Sequence, residues 1–191
     1  MSMNLLLNNA WKLYQSHPEL NKFSKWPDDL ILSNIKPCMI PASSLVRDFP
    51  IDGTRETQAF IDSIKENVHL GNWTRTYSEK EVGYDFLNRY GYYELFGPNG
   101  HFQTTQLRAF IGYWGKNLFY DWHCHEAEEV YLVLAGGAWF YVEGEKKWVG
   151  PNQTCSHSSM QRHSMQTKSD PILTFVIWRG NGLNDLPKMV N

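Results

Sequence analysis

Four of the seven histidines fall between positions 123 and 163, and two of them stand in the run Trp122-His123-Cys124-His125-Glu126-Ala127-Glu128-Glu129-Val130-Tyr131. On a β-strand alternate side chains share a face, so His123 and His125 are expected to point one way while Trp122 and Cys124 point the other. Glu126-Ala127-Glu128 has the length of a turn. On the strand that follows, Glu129 and Tyr131 share a face that such a turn would fold back over the histidines. A further ligand must come from elsewhere. His163, at the start of a later strand after the polar segment 156–162, is the first candidate and His157 the weaker one. The candidate metal ligands are therefore His123, His125, Glu129 and His163. Two or three imidazoles with one carboxylate, leaving coordination positions open, suit a single divalent ion (Fe, Mn, Zn, Ni or Co) with room beside it for a substrate.

Such a site needs a rigid frame. After Thr104, segments rich in aromatic and β-branched residues are bounded by turn signals at Gly136-Gly137, Glu143-Gly144-Glu145 and Gly150-Pro151-Asn152. Short antiparallel strands are predicted near 105–114, 118–124, 129–135, 138–143, 146–149, 154–157, 163–167 and 172–178, which amounts to a small barrel or sandwich. The first hundred residues read as mainly helical. Leu6, Ala10, Leu13 and Tyr14 share one helical face before His17-Pro18, and Phe60, Ile61, Ile64 and Val68 form a second stripe. Ser78-Glu79-Lys80-Glu81 is a capping-box pattern opening a third helix toward Asn88, with Val82, Phe86 and Leu87 as its buried side and Gly91 near its end. The stretch 36–53 has no assignable pattern. The expected fold class is α+β, mainly β with a helical N-terminal part. One domain spans 1–191: a helical region 1–103 packed on a barrel at 104–180 that carries the metal site, then a C-terminal tail at 181–191.

Charge excludes some partners. Lys and Arg number 18 against 20 Asp and Glu, and a net charge of -2 gives no drive toward nucleic acid or an anionic membrane surface. Apolar runs such as 172–178 are far shorter than a membrane span, and Met1-Ser2-Met3-Asn4 lacks the basic start of a signal peptide. Three cysteines without CxxC spacing suit reduced thiols, so a cytoplasmic protein is expected. Aromatic residues make up 15% of the chain, enough to line a pocket with ring faces.

The string His123-x-His125-x3-Glu129-x6-Gly136 matches part of the first cupin motif, and Gly150-Pro151 with the later His163 resembles the second. Two glycines usual in those motifs are replaced. Asn117 stands six residues before His123, and Ser158-Ser159-Met160 stands where the second motif has Pro-x-Gly. Within the cupins the chain most resembles the dimethylsulfoniopropionate (DMSP) lyases of the DddQ-like group. The resemblance is carried by His125-x3-Glu129-x-Tyr131, by Phe119-Tyr120 before it and His163-Ser164-Met165 after it, by Trp178 in the last strand, and by the helical N-terminal half. It implies a cupin β-barrel (jelly roll) preceded by packed helices, and a carbon-sulfur lyase that splits DMSP into dimethyl sulfide and acrylate by β-elimination. It further implies a divalent metal ion held by His125, Glu129 and His163 with His123 and Tyr131 at or near it, and Tyr131 as the base. Tyr120 and Trp178 would offer ring faces to the sulfonium of a small zwitterionic substrate. On a regular strand Tyr120 points away from His123, so its role requires a bulge or a place on the barrel rim. The protein is expected to be a monomer or homodimer. The same ligand set also suits an Fe(II) dioxygenase or a non-catalytic small-ligand-binding cupin.

Overall fold

The computed structural model describes residues 2–190; Met1 and Asn191, the outermost residues of the expected domain and tail, lie outside the described residues. Its strands in chain order are β1 Ile31–Leu32, β2 Tyr90–Gly97, β3 Phe102–Gln103, β4 Arg108–Trp114, β5 Phe119–Cys124, β6 Glu128–Ala135, β7 Ala138–Val142, β8 Glu145–Val149, β9 Thr154–His157, β10 His163–Thr167, β11 Ile172–Arg179 and β12 Lys188–Met189. From β4 to β11 each strand lies within three residues of its expected bounds. They form two sheets, of order β1-β3-β2-β4-β11-β6-β9 and β12-β5-β10-β7-β8.

Strand parity explains how the larger sheet carries two cores. On β4, β6 and β11 the residues Phe110, Trp114, Tyr131, Val133, Val176 and Trp178 face the smaller sheet and pack with its Tyr120, Phe140 and Met165. The intervening residues Ile111, Leu132, Leu134, Phe175 and Ile177 face outward beneath helices. A sheet buried on both faces reads as a continuous apolar run, as 172–178 does, and does not alternate with polar residues. The covering elements are α1 Met3–Ser16, α2 Pro18–Phe23, α3 Pro41–Arg47, α4 Gln58–Asn67, α5 Glu79–Val82 and α6 Tyr84–Arg89. The stripes Leu6-Ala10-Leu13-Tyr14 of α1 and Phe60-Ile61-Ile64 of α4 enter the outer core as expected. Among the described residues, no helix is long and apolar enough to cross a membrane.

The N-terminal expectation needs two corrections. The predicted helix from Ser78 keeps its capping box but breaks at Gly83, which has φ +79°, into the short helices α5 and α6. More consequentially, residues 90–97 are a strand of the large sheet and not part of a helical half, because Tyr90, Tyr93, Leu95 and Phe96 are buried on both of its faces. Gly91 does not end a helix. It lies in β2, where a Cβ would sit 2.4 Å from Ile40 Cδ1.

Candidate metal centre

Alternation along β6 places Glu129 and Tyr131 on the inner face, and both line a cavity between the sheets. His163 opens β10 opposite His123 of β5. His125 lies one residue beyond the end of β5, in the turn to β6, so it reaches the site through the turn and not through strand parity. All three of His125, Glu129 and His163 are buried, and one ligand atom from each lies within 4.8 Å of the others, a group that could hold a metal ion.

Hydrogen bonding at the far side of each ring decides what faces the centre. His125 Nδ1 donates to Ala127 O at 2.8 Å and His163 Nδ1 to Gln161 O at 2.8 Å. A carbonyl only accepts, so each Nδ1 carries a proton, and a ring with no second proton presents an Nε2 lone pair inward. Those Nε2 atoms are buried without a hydrogen-bond partner, 3.4 and 3.3 Å from Glu129 Oε2. Two nitrogen lone pairs and a carboxylate oxygen cannot face one another out of water unless a positive charge, a proton or a metal ion, lies between them. The same contacts also shift the ionisation of the group itself. Burial opposes the charged form of Glu129, yet the facing histidines hold its carboxyl well below the usual range. Burial likewise opposes protonation of His125, and the charge of Glu129 overrides it to push that imidazole up. The donor set thus fits a divalent cation, and of the candidate ions it excludes none.

Glu129 is itself held from two sides. The Trp178 indole N–H donates to Oε1 at 2.7 Å while His157 Nδ1 donates to Oε2 at 2.9 Å. His157 stacks flat on His163, with ring centroids 3.8 Å apart, and the Cys155 thiol lies 3.6 Å from its other nitrogen. His157, the weaker ligand candidate, therefore aims the carboxylate. Partners of this kind are worth about 10–100-fold in metal affinity. His157→Phe is expected to weaken metal binding by about that factor, whereas His157→Asn, whose amide nitrogen can occupy the Nδ1 position, recovers most of it. Competition with a coloured chelator measures both, and unchanged affinity in the Phe variant would remove His157 from the site.

The other expected site residues divide. His123 is not brought into the three-residue group. Its Nδ1 donates to Asp121 O at 2.7 Å and its ring lies on that of Tyr120, with centroids 3.9 Å apart, so it faces the cavity beside the group. Tyr120 reaches the inner face by the required bulge: His163 pairs with His123 but Met165 pairs with Tyr120, one residue more on β5 than on β10. Its hydroxyl bonds to that of Tyr77 at 2.8 Å. Trp178 lines the cavity and stacks on His125 at 4.2 Å, in addition to holding Glu129. Tyr90, Phe110 and Trp114 also line the cavity, although the sequence marked none of them for function. The signal for two of these was present: Phe110, Gly112 and Trp114 share a face of β4.

The two replaced glycines are explained by backbone angle. Asn117 has φ +54° and Met160 φ +59°, so both adopt the left-handed conformation a glycine takes readily. Asn tolerates it, whereas Met bears a cost of about 1–2 kcal/mol. The Met160 N–H donates to His125 O at 2.8 Å, tying this loop to the histidine turn.

A family model described as dimethylsulfoniopropionate lyase matches residues 40–174. Dimethylsulfoniopropionate lyase DddQ of Ruegeria pomeroyi is 33% identical over 177 residues, 92% of this chain and 88% of that protein. A crystal structure of DddQ from the same organism has a TM-score of 0.93 at 32% identity, covering 98% of this chain and 95% of that one. A solved structure described as the DMSP lyases RdDddP and RnDddQII reaches 0.96 at 38% identity, covering 99% and 97%. A cupin-2 domain of Rhodospirillum rubrum, with a TM-score of 0.50 at 15% identity over 63% of this chain and 76% of its own, shows the barrel to be a cupin fold.

Proposed function

The chain belongs to the dimethylsulfoniopropionate lyase family, and from that premise we propose that it splits DMSP into dimethyl sulfide and acrylate by β-elimination. In this reading His125, Glu129 and His163 hold one divalent ion and Tyr131 is the base. The observation that carries it is the pair of buried, unpartnered imidazole nitrogens facing Glu129 at one side of a cavity otherwise lined by aromatic rings. DMSP is a zwitterion with matching ends. When bound, the ion supplies Lewis-acid stabilisation for the charge that builds on the substrate carboxylate as the neighbouring carbon loses its proton.

The residues of the chain do the rest. Tyr131 is buried two positions beyond Glu129 on the same strand face, where its oxygen, as the phenolate, can take that proton and become the phenol. The electron pair left behind forms the carbon-carbon double bond of acrylate while the carbon-sulfur bond breaks and its electrons leave with sulfur. Tyr120 and Trp178, with Tyr90, Phe110 and Trp114 around the same cavity, offer ring faces to the sulfonium, each worth about 0.5–2 kcal/mol. These rings carry no fixed negative charge, so they bind the cation without competing for the metal.

The test is release of dimethyl sulfide from DMSP by purified protein reloaded singly with Fe(II), Mn, Co, Ni or Zn. Release is expected to vanish on chelation and to return with at least one ion, without oxygen consumption. No release with any bound metal, or oxygen uptake with turnover of another substrate, would replace the lyase reading with a different cupin chemistry.

A further inference from the structure

Residues 181–190, expected to be a tail, contribute a wall of the same cavity. After β11 the chain turns at Gly180 and Gly182, both with positive φ, and Gly182 is pressed so close to the histidine turn that a Cβ there would lie 2.8 Å from that of Glu126. Leu186 and Pro187 then line the cavity. Two anchors hold the segment. At its far end β12 pairs with β5 beside Cys124 and His123, and the Val190 N–H donates to Trp122 O at 2.9 Å. At its near end Arg108 Nη1 donates to Leu183 O at 3.0 Å and Asp185 O at 2.9 Å.

Arg108 is an unusual residue to find there. It is buried on β4, its Nε donates to Glu94 Oε2 of β2 at 2.7 Å, and its guanidinium lies 4.7 Å above the ring of Phe110. A buried ion pair is a weak source of stability, because desolvation offsets most of the Coulombic gain. Its fork geometry can instead fix the direction of whatever it bonds. Here it bonds two backbone carbonyls of the segment that carries Leu186 and Pro187.

We propose that Arg108, oriented by Glu94, is a positioning residue for catalysis: it latches residues 183–187 across the cavity so that Leu186 and Pro187 close the substrate site. The proposal rests on the lyase reading for its substrate, but the latch is a property of the fold. Arg108 itself borders the cavity, but the hydrogen bonds of its guanidinium go to Glu94 and to the strap, and it is through the strap that it acts. A strap that closes the site contributes contact to bound substrate throughout the reaction, so its loss raises KM more than it lowers kcat.

The test uses metal-loaded full-length protein. The pair R108M/E94M removes the latch without leaving one buried charge unpaired, and Arg108→Lys, which keeps the charge but lacks the fork, serves if that pair does not fold. Either is expected to speed cleavage within residues 180–190 by a protease of broad specificity, with the barrel intact and bound metal unchanged. The same variants should raise KM for DMSP about tenfold with kcat within about threefold. L186A/P187A keeps the latch and is expected to raise KM without exposing the strap. A strap still protected in both Arg108 variants overturns the latch, and an unchanged KM in L186A/P187A overturns the wall. Should the unaltered protein release no dimethyl sulfide, the lyase reading fails while the proteolysis comparison still decides the latch.

Discussion

Tyr131→Phe is expected to keep its bound metal and lose about 10²–10⁴-fold in kcat/KM for dimethyl sulfide release, the range a positioned general base supplies. The ring is fixed independently of its hydroxyl. It packs against Phe140, Trp114 and His157, with centroids 5.2, 6.1 and 5.8 Å away, so the variant loses one oxygen and nothing of its packing. What the oxygen can do depends on charge. Burial pushes the Tyr131 phenol well above its ordinary value, and the carboxylate of Glu129 pushes in the same direction. A phenol so placed is no base unless a divalent cation at the Glu129 group offsets both influences. Metal removal therefore costs the site its base as well as its Lewis acid. The sign of the pH dependence follows, since the base acts after losing its proton. In the loaded wild type kcat/KM should climb with pH to a plateau, and that ascending limb should be missing from the residual activity of Tyr131→Phe. Full activity in this variant would pass the role to another tyrosine of the cavity, such as Tyr120, whose hydroxyl is shared with Tyr77.

Legibility in the sequence followed the range of each cause. The strands from β4 to β11 were readable because turn residues bound them locally, and the histidine and glutamate spacing was readable because one turn connects the two parts. β2 was hidden because burial on both faces removes the alternation that identifies a strand, and because Gly91, needed against Ile40, imitates a helix end. The job of Trp178 was hidden for another reason. Its aromatic ring suggests a face for a cation, while its bond to Glu129 depends on β6 and β11 lying side by side, with Glu129 opposite Trp178. Tyr120 shows how far parity can be trusted. The rule sent it outward, and a bulge at a pairing of distant segments returned it. His157 was singled out as a ligand of second choice because residue type marks a metal site without distinguishing what binds from what aims. Residues 181–190 carried no periodic pattern, and their place depends on one arginine seventy-five positions earlier in the chain than Leu183.

His163→Ala is expected to lose metal and activity together, with almost no ion retained after dialysis and dimethyl sulfide release down by about 10³-fold or more, as befits a Lewis acid worth several kcal/mol. The histidine is the one member of the group supplied by the smaller sheet, whereas Glu129 lies on β6 and His125 in the turn before it. Without it, two ligands from one turn and the strand that follows it remain, and the group has no member from the smaller sheet. His123→Ala makes the decisive contrast. That residue faces the cavity next to His163 yet stands outside the group whose ligand atoms converge, and its ring supports Tyr120. It is expected to keep its metal and to lose affinity for DMSP, because the ring that Tyr120 offers the sulfonium would no longer be held in place. Metal analysis of the two variants separates the alternatives. A metal-replete His163→Ala protein would mean that the later histidine is not a ligand, and a metal-free His123→Ala protein would make the centre the four-residue site of His123, His125, Glu129 and His163 expected from the sequence.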